Sequence, residues 1–131
     1  MRQGIKSLLG PKPLLGIAIA YTLLVTAALL TPTTGAPKIE IPFADKMVHL
    51  IINAGLFVVW ASYVFSGKTK TTKTYTLPLL FVCTLLYGIL IEVVQGSFIP
   101  TRGADFFDVV ANVCGLILGF FAVKLTKKFI Y

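Results

Sequence analysis

The chain has 131 residues, of which 56% are hydrophobic and 13% charged, with a mean hydropathy of +0.88. That balance excludes an ordinary soluble domain and defines an integral membrane protein. The net charge of +7 does not require a nucleic-acid partner, because in so apolar a chain Lys and Arg first report orientation in the bilayer.

A membrane-spanning helix needs about 20 predominantly apolar residues, and four stretches qualify: residues 14–30, 47–65, 77–95 and 106–125. They are continuously apolar, without the period-two alternation of barrel strands, so helices are expected. The predicted architecture is all-α: a polytopic membrane protein with four transmembrane helices in a compact bundle, all 131 residues forming one transmembrane domain.

In chain order, residues 1–36 have the basic start and apolar core of a signal peptide. The core is longer than the usual 7–15 residues or so, and Pro37 fits poorly after a cleavage point, so a retained first span is expected. Gly16 and Ala20 lie four apart, a spacing that allows close helix approach. Pro32, Pro37 and Pro42 then disfavour helix continuation.

The second span opens as FADKMVHLIINAGL, which sets Asp45, His49 and Asn53 four residues apart on one helical face. A basic, hydroxyl-rich loop follows at residues 66–76 and reads as a turn attracted to anionic lipid. Pro78 falls in the first turn of span three, where a missing N–H is tolerated. Cys83 and Cys114 lie inside spans and read as packing residues.

Span three becomes polar only near its end, at Glu92 and Gln95. A Gly/Pro turn carrying Arg102 leads to Asp105 and Asp108, with Asn112 four residues later. Gly115 and Gly119 then form a small-residue pair suited to internal packing.

Nine of the twelve positive charges (Arg2, Lys6, Lys12, Lys68, Lys70, Lys73, Lys124, Lys127 and Lys128) fall on one side of the spans. The positive-inside rule therefore predicts both termini in the cytoplasm. It follows that Asp45, His49, Asn53, Glu92, Gln95, Arg102, Asp105, Asp108 and Asn112 converge at the exterior ends of spans two to four.

A charge at that depth is unfavourable by a few kcal/mol, to order of magnitude, unless paired or wetted, and intramembrane ionisable residues are functional candidates by default. Structural roles compete with that reading. Asp45 and Asp105 suit helix N-caps, and Asp108 suits the positive end of a helix dipole. Lys46 and Arg102 suit interface anchors, though Arg102 beside three carboxylates is better explained by an ion pair. Asn53 and Asn112 suit interhelical hydrogen bonding.

The pattern Asp45-Lys46-x-x-His49, then Glu92-x-x-Gln95, Pro100-x-Arg102 and Asp105-x-x-Asp108-x-x-x-Asn112-x-x-Gly115 resembles the VanZ-like membrane proteins, over residues 40 to 125. The resemblance implies a place in the cell envelope and a link to glycopeptide resistance, in particular to teicoplanin. It does not imply a settled reaction. Gly103-Ala104 departs from the family, where a small hydroxyl residue often precedes the Asp.

The expected function is therefore to bind or modify a lipid or lipid-linked envelope precursor in an exterior-facing polar pocket of the cytoplasmic (inner) membrane. His49, Glu92 and Asp108 are the catalytic candidates, with His49 as acid or base near neutral pH. Asp45, Lys46, Asn53, Gln95, Arg102, Asp105 and Asn112 are the substrate-binding candidates, with Arg102 offering a bidentate fork to an anionic headgroup. No cofactor is assigned. A metal held by His49, Glu92, Asp105 and Asp108 is a variant that the spacing does not single out. The competing class is a non-catalytic subunit or scaffold that binds another envelope protein. A transporter is a weaker third, because four spans lack the wall for a private pathway and no internal repeat is present.

Overall fold

The computed structural model describes residues 10–35, 41–67 and 75–130, with side chains to residue 126. These residues form four helices and no strand: α1 (Pro11–Leu30), α2 (Ala44–Ser66), α3 (Thr76–Phe98) and α4 (Phe106–Ile130). The shortest has 20 residues, a length of about 30 Å, which matches the hydrocarbon thickness of a bilayer. All four are apolar enough to cross a membrane, and the chain is a multi-pass membrane protein. Most of the basic residues that predict its orientation lie outside the described residues.

The first three helices start earlier than hydropathy alone places them, and α4 starts where it is expected, at Phe106. Pro11 occupies the first turn of α1, where its missing N–H leaves no bond unmade. The start of α2 is set by Phe43, whose backbone is left-handed at φ 62°, an uncommon conformation for a bulky residue. Its carbonyl accepts the Met47 N–H at 3.0 Å, and the turn brings Asp45 and Lys46 onto the helix. Pro78 leaves α3 continuous.

Without a hydrophobic driving force inside lipid, helix association depends on close van der Waals packing and interhelical hydrogen bonds. The most extensive pairing is α2 with α4, made possible by the Gly115/Gly119 pair. A β-carbon at Gly115 would run into the Leu50 carbonyl, and one at Gly119 would stand 2.9 Å from the Ala54 carbonyl oxygen. Below this contact, Phe57, Ala61, Leu116 and Val123 form a core on which Phe81 and Phe120 pack. Val25 and Leu29 of α1 meet Ile91 of α3 in a second cluster.

Polar bonds add to the apolar contacts that hold α1 in place. Tyr21 donates its hydroxyl to the Ile52 carbonyl at 3.0 Å. Trp60 donates to Thr22 at 3.0 Å, and Thr26 and Tyr87 share a hydrogen bond of 2.7 Å. Two sequence expectations fail here. Among the described residues nothing lies within 4 Å of a β-carbon built at Gly16, so the Gly16/Ala20 face makes no tight contact with them. Cys83 and Cys114 are free and exposed, pointing out with Leu86, Leu90 and Leu118 toward the lipid; both lie on the outer face of their helix rather than in a packed seam.

Replacing Gly115 by Ala is expected to push α2 and α4 apart and destabilise the protein by about 1–3 kcal/mol. Gly16→Ala is expected to be neutral or stabilising by up to about 1 kcal/mol. Unfolding of the two variants in detergent, side by side, checks the contrast.

Candidate functional site

The polar ends of α2, α3 and α4 converge as the sequence predicts. On α2, Asp45, His49 and Asn53 succeed one another down one face. Asp45 stands at the mouth with its side chain 59% exposed, and His49 and Asn53 are buried. Glu92 and Gln95 come from α3, and Asp108 and Asn112 from α4, all buried. A cavity of about 270 Å³ opens among them, lined by Asp45, His49, Gln95, Arg102, Asp105 and Asp108.

Lys46 crosses from the first turn of α2 to the start of α4. Its ammonium donates to Asp105 Oδ2 at 2.6 Å and to Asp108 Oδ1 at 2.8 Å, and lies 3.9 Å from Asp45 Oδ2. The ion pair expected of Arg102 belongs to Lys46. Among the described residues Arg102 makes no ion pair: it lines the cavity with its buried Nε unpartnered. The reason is geometric, because α2 begins at Ala44 and so places Lys46 directly against the α4 N-terminus.

The two expected N-caps divide. Asp105 caps α4, its Oδ1 accepting the Phe107 N–H at 2.9 Å. Asp45 caps nothing, since Phe43 holds the cap position of α2; its carboxylate is left for the cavity. The Lys46 ammonium and then the Phe107 N–H hold the Asp105 carboxyl below its ordinary value. Asp108 lies in the first turn of α4, where a carboxylate complements the helix dipole.

His49 is the hub, and its tautomer follows from its neighbours. Asn53 Nδ2 donates to the His49 backbone carbonyl at 2.9 Å and to Asn112 Oδ1 at 2.6 Å. A carbonyl can only accept, which fixes the Asn53 amide and makes Asn112 Oδ1 an acceptor. His49 Nδ1 lies 3.2 Å from that Oδ1 and 3.2 Å from Glu92 Oε1. Facing acceptors, Nδ1 carries the proton. Nε2 turns toward the cavity, 3.8 Å from Asp108 Oδ2 and 3.9 Å from Asp45 Oδ1.

The remaining residues work at one remove. Gln95 donates to the Leu29 carbonyl at 2.6 Å, satisfying an orphan acceptor at the end of α1. Gly88, which periodicity did not single out, gives the asparagine pair its room: a β-carbon there would sit 3.2 Å from Asn112 Nδ2. Thr33 and Thr101, also missed, line the cavity, joined by a bond of 3.2 Å from the Thr33 N–H to the Thr101 hydroxyl. Thr101 thus brings a hydroxyl to this wall, in a chain that has Gly103-Ala104 before Asp105. Outside the cavity, a separate apolar groove of about 290 Å³ runs between α2 and α4, lined by Met47, Leu50, Val110 and Cys114, with the stem of Lys46 at its edge.

These features define a multi-pass α-helical membrane protein with a charged, partly enclosed site at one end of its helices. A profile of the VanZ/LLP1 family matches residues 14–127, and the chain belongs to that family. An uncharacterized protein of the fission yeast Schizosaccharomyces pombe is 33% identical over 102 residues, 78% of this chain. The chain spans 58% of that relative's length. No solved structure matches it.

Lys46→Met is expected to leave Asp108 buried without its cation and to destabilise the protein by about 3 kcal/mol, read by thermal unfolding. The depressed Asp105 carboxyl gives a second expectation. Its stabilising contribution is present above the ordinary aspartate range and is lost as pH falls through the lower folded value. The melting temperature is therefore expected to fall on acidification below about pH 4, and to fall less in Asp105→Asn.

Proposed function

We propose that this protein binds or modifies a phosphate-bearing lipid or lipid-linked precursor of the cell envelope. On this reading it is a compact four-helix bundle in the cytoplasmic membrane, with both termini inside and the polar cavity open to the exterior. The observation that carries the proposal is Arg102. Among the described residues it lines the cavity with no carboxylate partner and with its Nε unpartnered, whereas Lys46 is engaged by Asp105 and Asp108. A guanidinium left over in this way suits a phosphate headgroup, which it can hold with two parallel bonds.

His49 supplies the second half. Asn112 holds Nδ1, so that Nε2 is left to meet the headgroup as general base, or as general acid once protonated. Asn53 acts through Asn112 and the His49 backbone. Gln95 keeps α1 against α3, and Asp108 faces Nε2 from α4. The link to teicoplanin resistance that the VanZ resemblance implies supports a lipid-linked wall precursor as one substrate.

A non-catalytic membrane subunit is the second reading. It is favoured by the interhelical bonds of Asn53, Asn112 and Gln95, which fix helix register without any substrate.

Mass spectrometry of lipid extracts separates the two. In a deletion strain complemented at matched abundance, wild type is expected to restore a lipid species that Glu92→Gln and Arg102→Met do not restore. Full rescue by both variants would leave the subunit reading in place.

A further inference from the structure

The same cavity brings Asp45 together with His49 and Asp108, two residues of the lipid reading. Asp45, His49 and Asp108 each present one ligand atom, and these atoms all lie within 4.8 Å of one another. The distances from His49 Nε2 to Asp108 Oδ2 and Asp45 Oδ1, 3.8 and 3.9 Å, are too long for hydrogen bonds. They fall within the separation of two ligands that share one ion, each about 2.1 Å from it.

Three further observations point to a cation. The ring is oriented as a metal ligand needs, with Nδ1 turned inward to the Asn112 oxygen at 3.2 Å and Nε2 turned to the cavity. Glu92 is 3% exposed, both its oxygens lack a hydrogen-bond partner, and one stands 3.2 Å from Nδ1. A buried carboxylate behind a histidine is the outer-shell partner that orients metal-bound imidazoles. Lys46 leaves the ligand oxygens available, since it holds Asp108 by Oδ1 and lies nearest Asp45 by Oδ2.

We infer that Asp45, His49 and Asp108 form a divalent-cation site, with Glu92 positioning His49 and Arg102 beside the ion's open coordination positions. One imidazole with two carboxylates suits Mn²⁺ or Zn²⁺ better than Ca²⁺, which takes oxygen ligands only. The inference rests on the pocket reading above and changes one role in it. With the ion bound, His49 serves as a ligand and not as a proton carrier, and the ion and Arg102 together grip the phosphate.

The test uses the full-length protein, purified in detergent and stripped with a chelator. Mn²⁺ is the probe, and its free aqueous signal is followed by electron paramagnetic resonance. Wild type is expected to deplete that signal saturably, with one ion per chain. Asp45→Asn, at the exposed mouth, is expected to fold normally and to weaken binding by about tenfold or more, and Glu92→Gln by about 10–100-fold. His49→Gln is expected to abolish it.

An unchanged free signal with wild type overturns the site, as does equal binding by wild type, Asp45→Asn and His49→Gln. Neither result touches the lipid reading, which stands or falls on the extracts. A lipid phenotype without Mn²⁺ binding returns His49 to acid or base chemistry. Mn²⁺ binding without a lipid phenotype keeps the ion and discards the substrate.

Discussion

An ionised group in an apolar medium must be compensated nearby, and in this protein the bond from Lys46 to Asp105 and Asp108 meets that requirement. It joins the first turn of α2 to the first turn of α4, the two helices that pack most extensively. Farther along the same pair, Gly115 and Gly119 bring the backbones close enough for van der Waals contact. The ionic contact and the small-residue contact therefore reinforce each other: the first fixes the register at which α2 meets α4, and the second allows the separation that register needs. His49 and Asn112 fall into place between them.

The site's hydrogen-bond directions descend from a single backbone group. The His49 carbonyl orients the Asn53 amide, Asn53 orients Asn112, and Asn112 together with Glu92 decides which nitrogen of His49 bears hydrogen. Every step passes through buried atoms, where an unmade bond is costly. The chain of dependence accounts for two buried amides, at Asn53 and Asn112, in positions where apolar side chains would pack as well.

Much of this was legible in the sequence because depth and period are both linear properties. Four apolar runs gave four helices, and the spacing of Asp45, His49 and Asn53 gave one face. Chain direction brought that face to the same end as Glu92 and Asp108. Pairing was not legible. Arg102 looks like the natural partner of Asp105 by proximity in the chain, yet the partner is Lys46, fifty-nine residues away, because a left-handed Phe43 starts α2 earlier than hydropathy indicates. The N-cap reading held for Asp105 and failed for Asp45 for the same reason. Gly88 and Thr101 were invisible for a different one: their importance lies in what they make room for or face, and neither carries a periodic or charged signature. The cysteines were misread because a small hydrophobe inside a span can face lipid as readily as it can fill a seam.

Lys46 also has a second side. Its ammonium bonds Asp105 and Asp108, which line the polar cavity, while Lys46 itself lines the apolar groove between α2 and α4. The partition between the hydrocarbon phase and the charged interior is thus one side chain thick at this point. A molecule with an acyl tail in the groove and its polar head turned inward would have to pass only that flexible stem, with no helix to be moved.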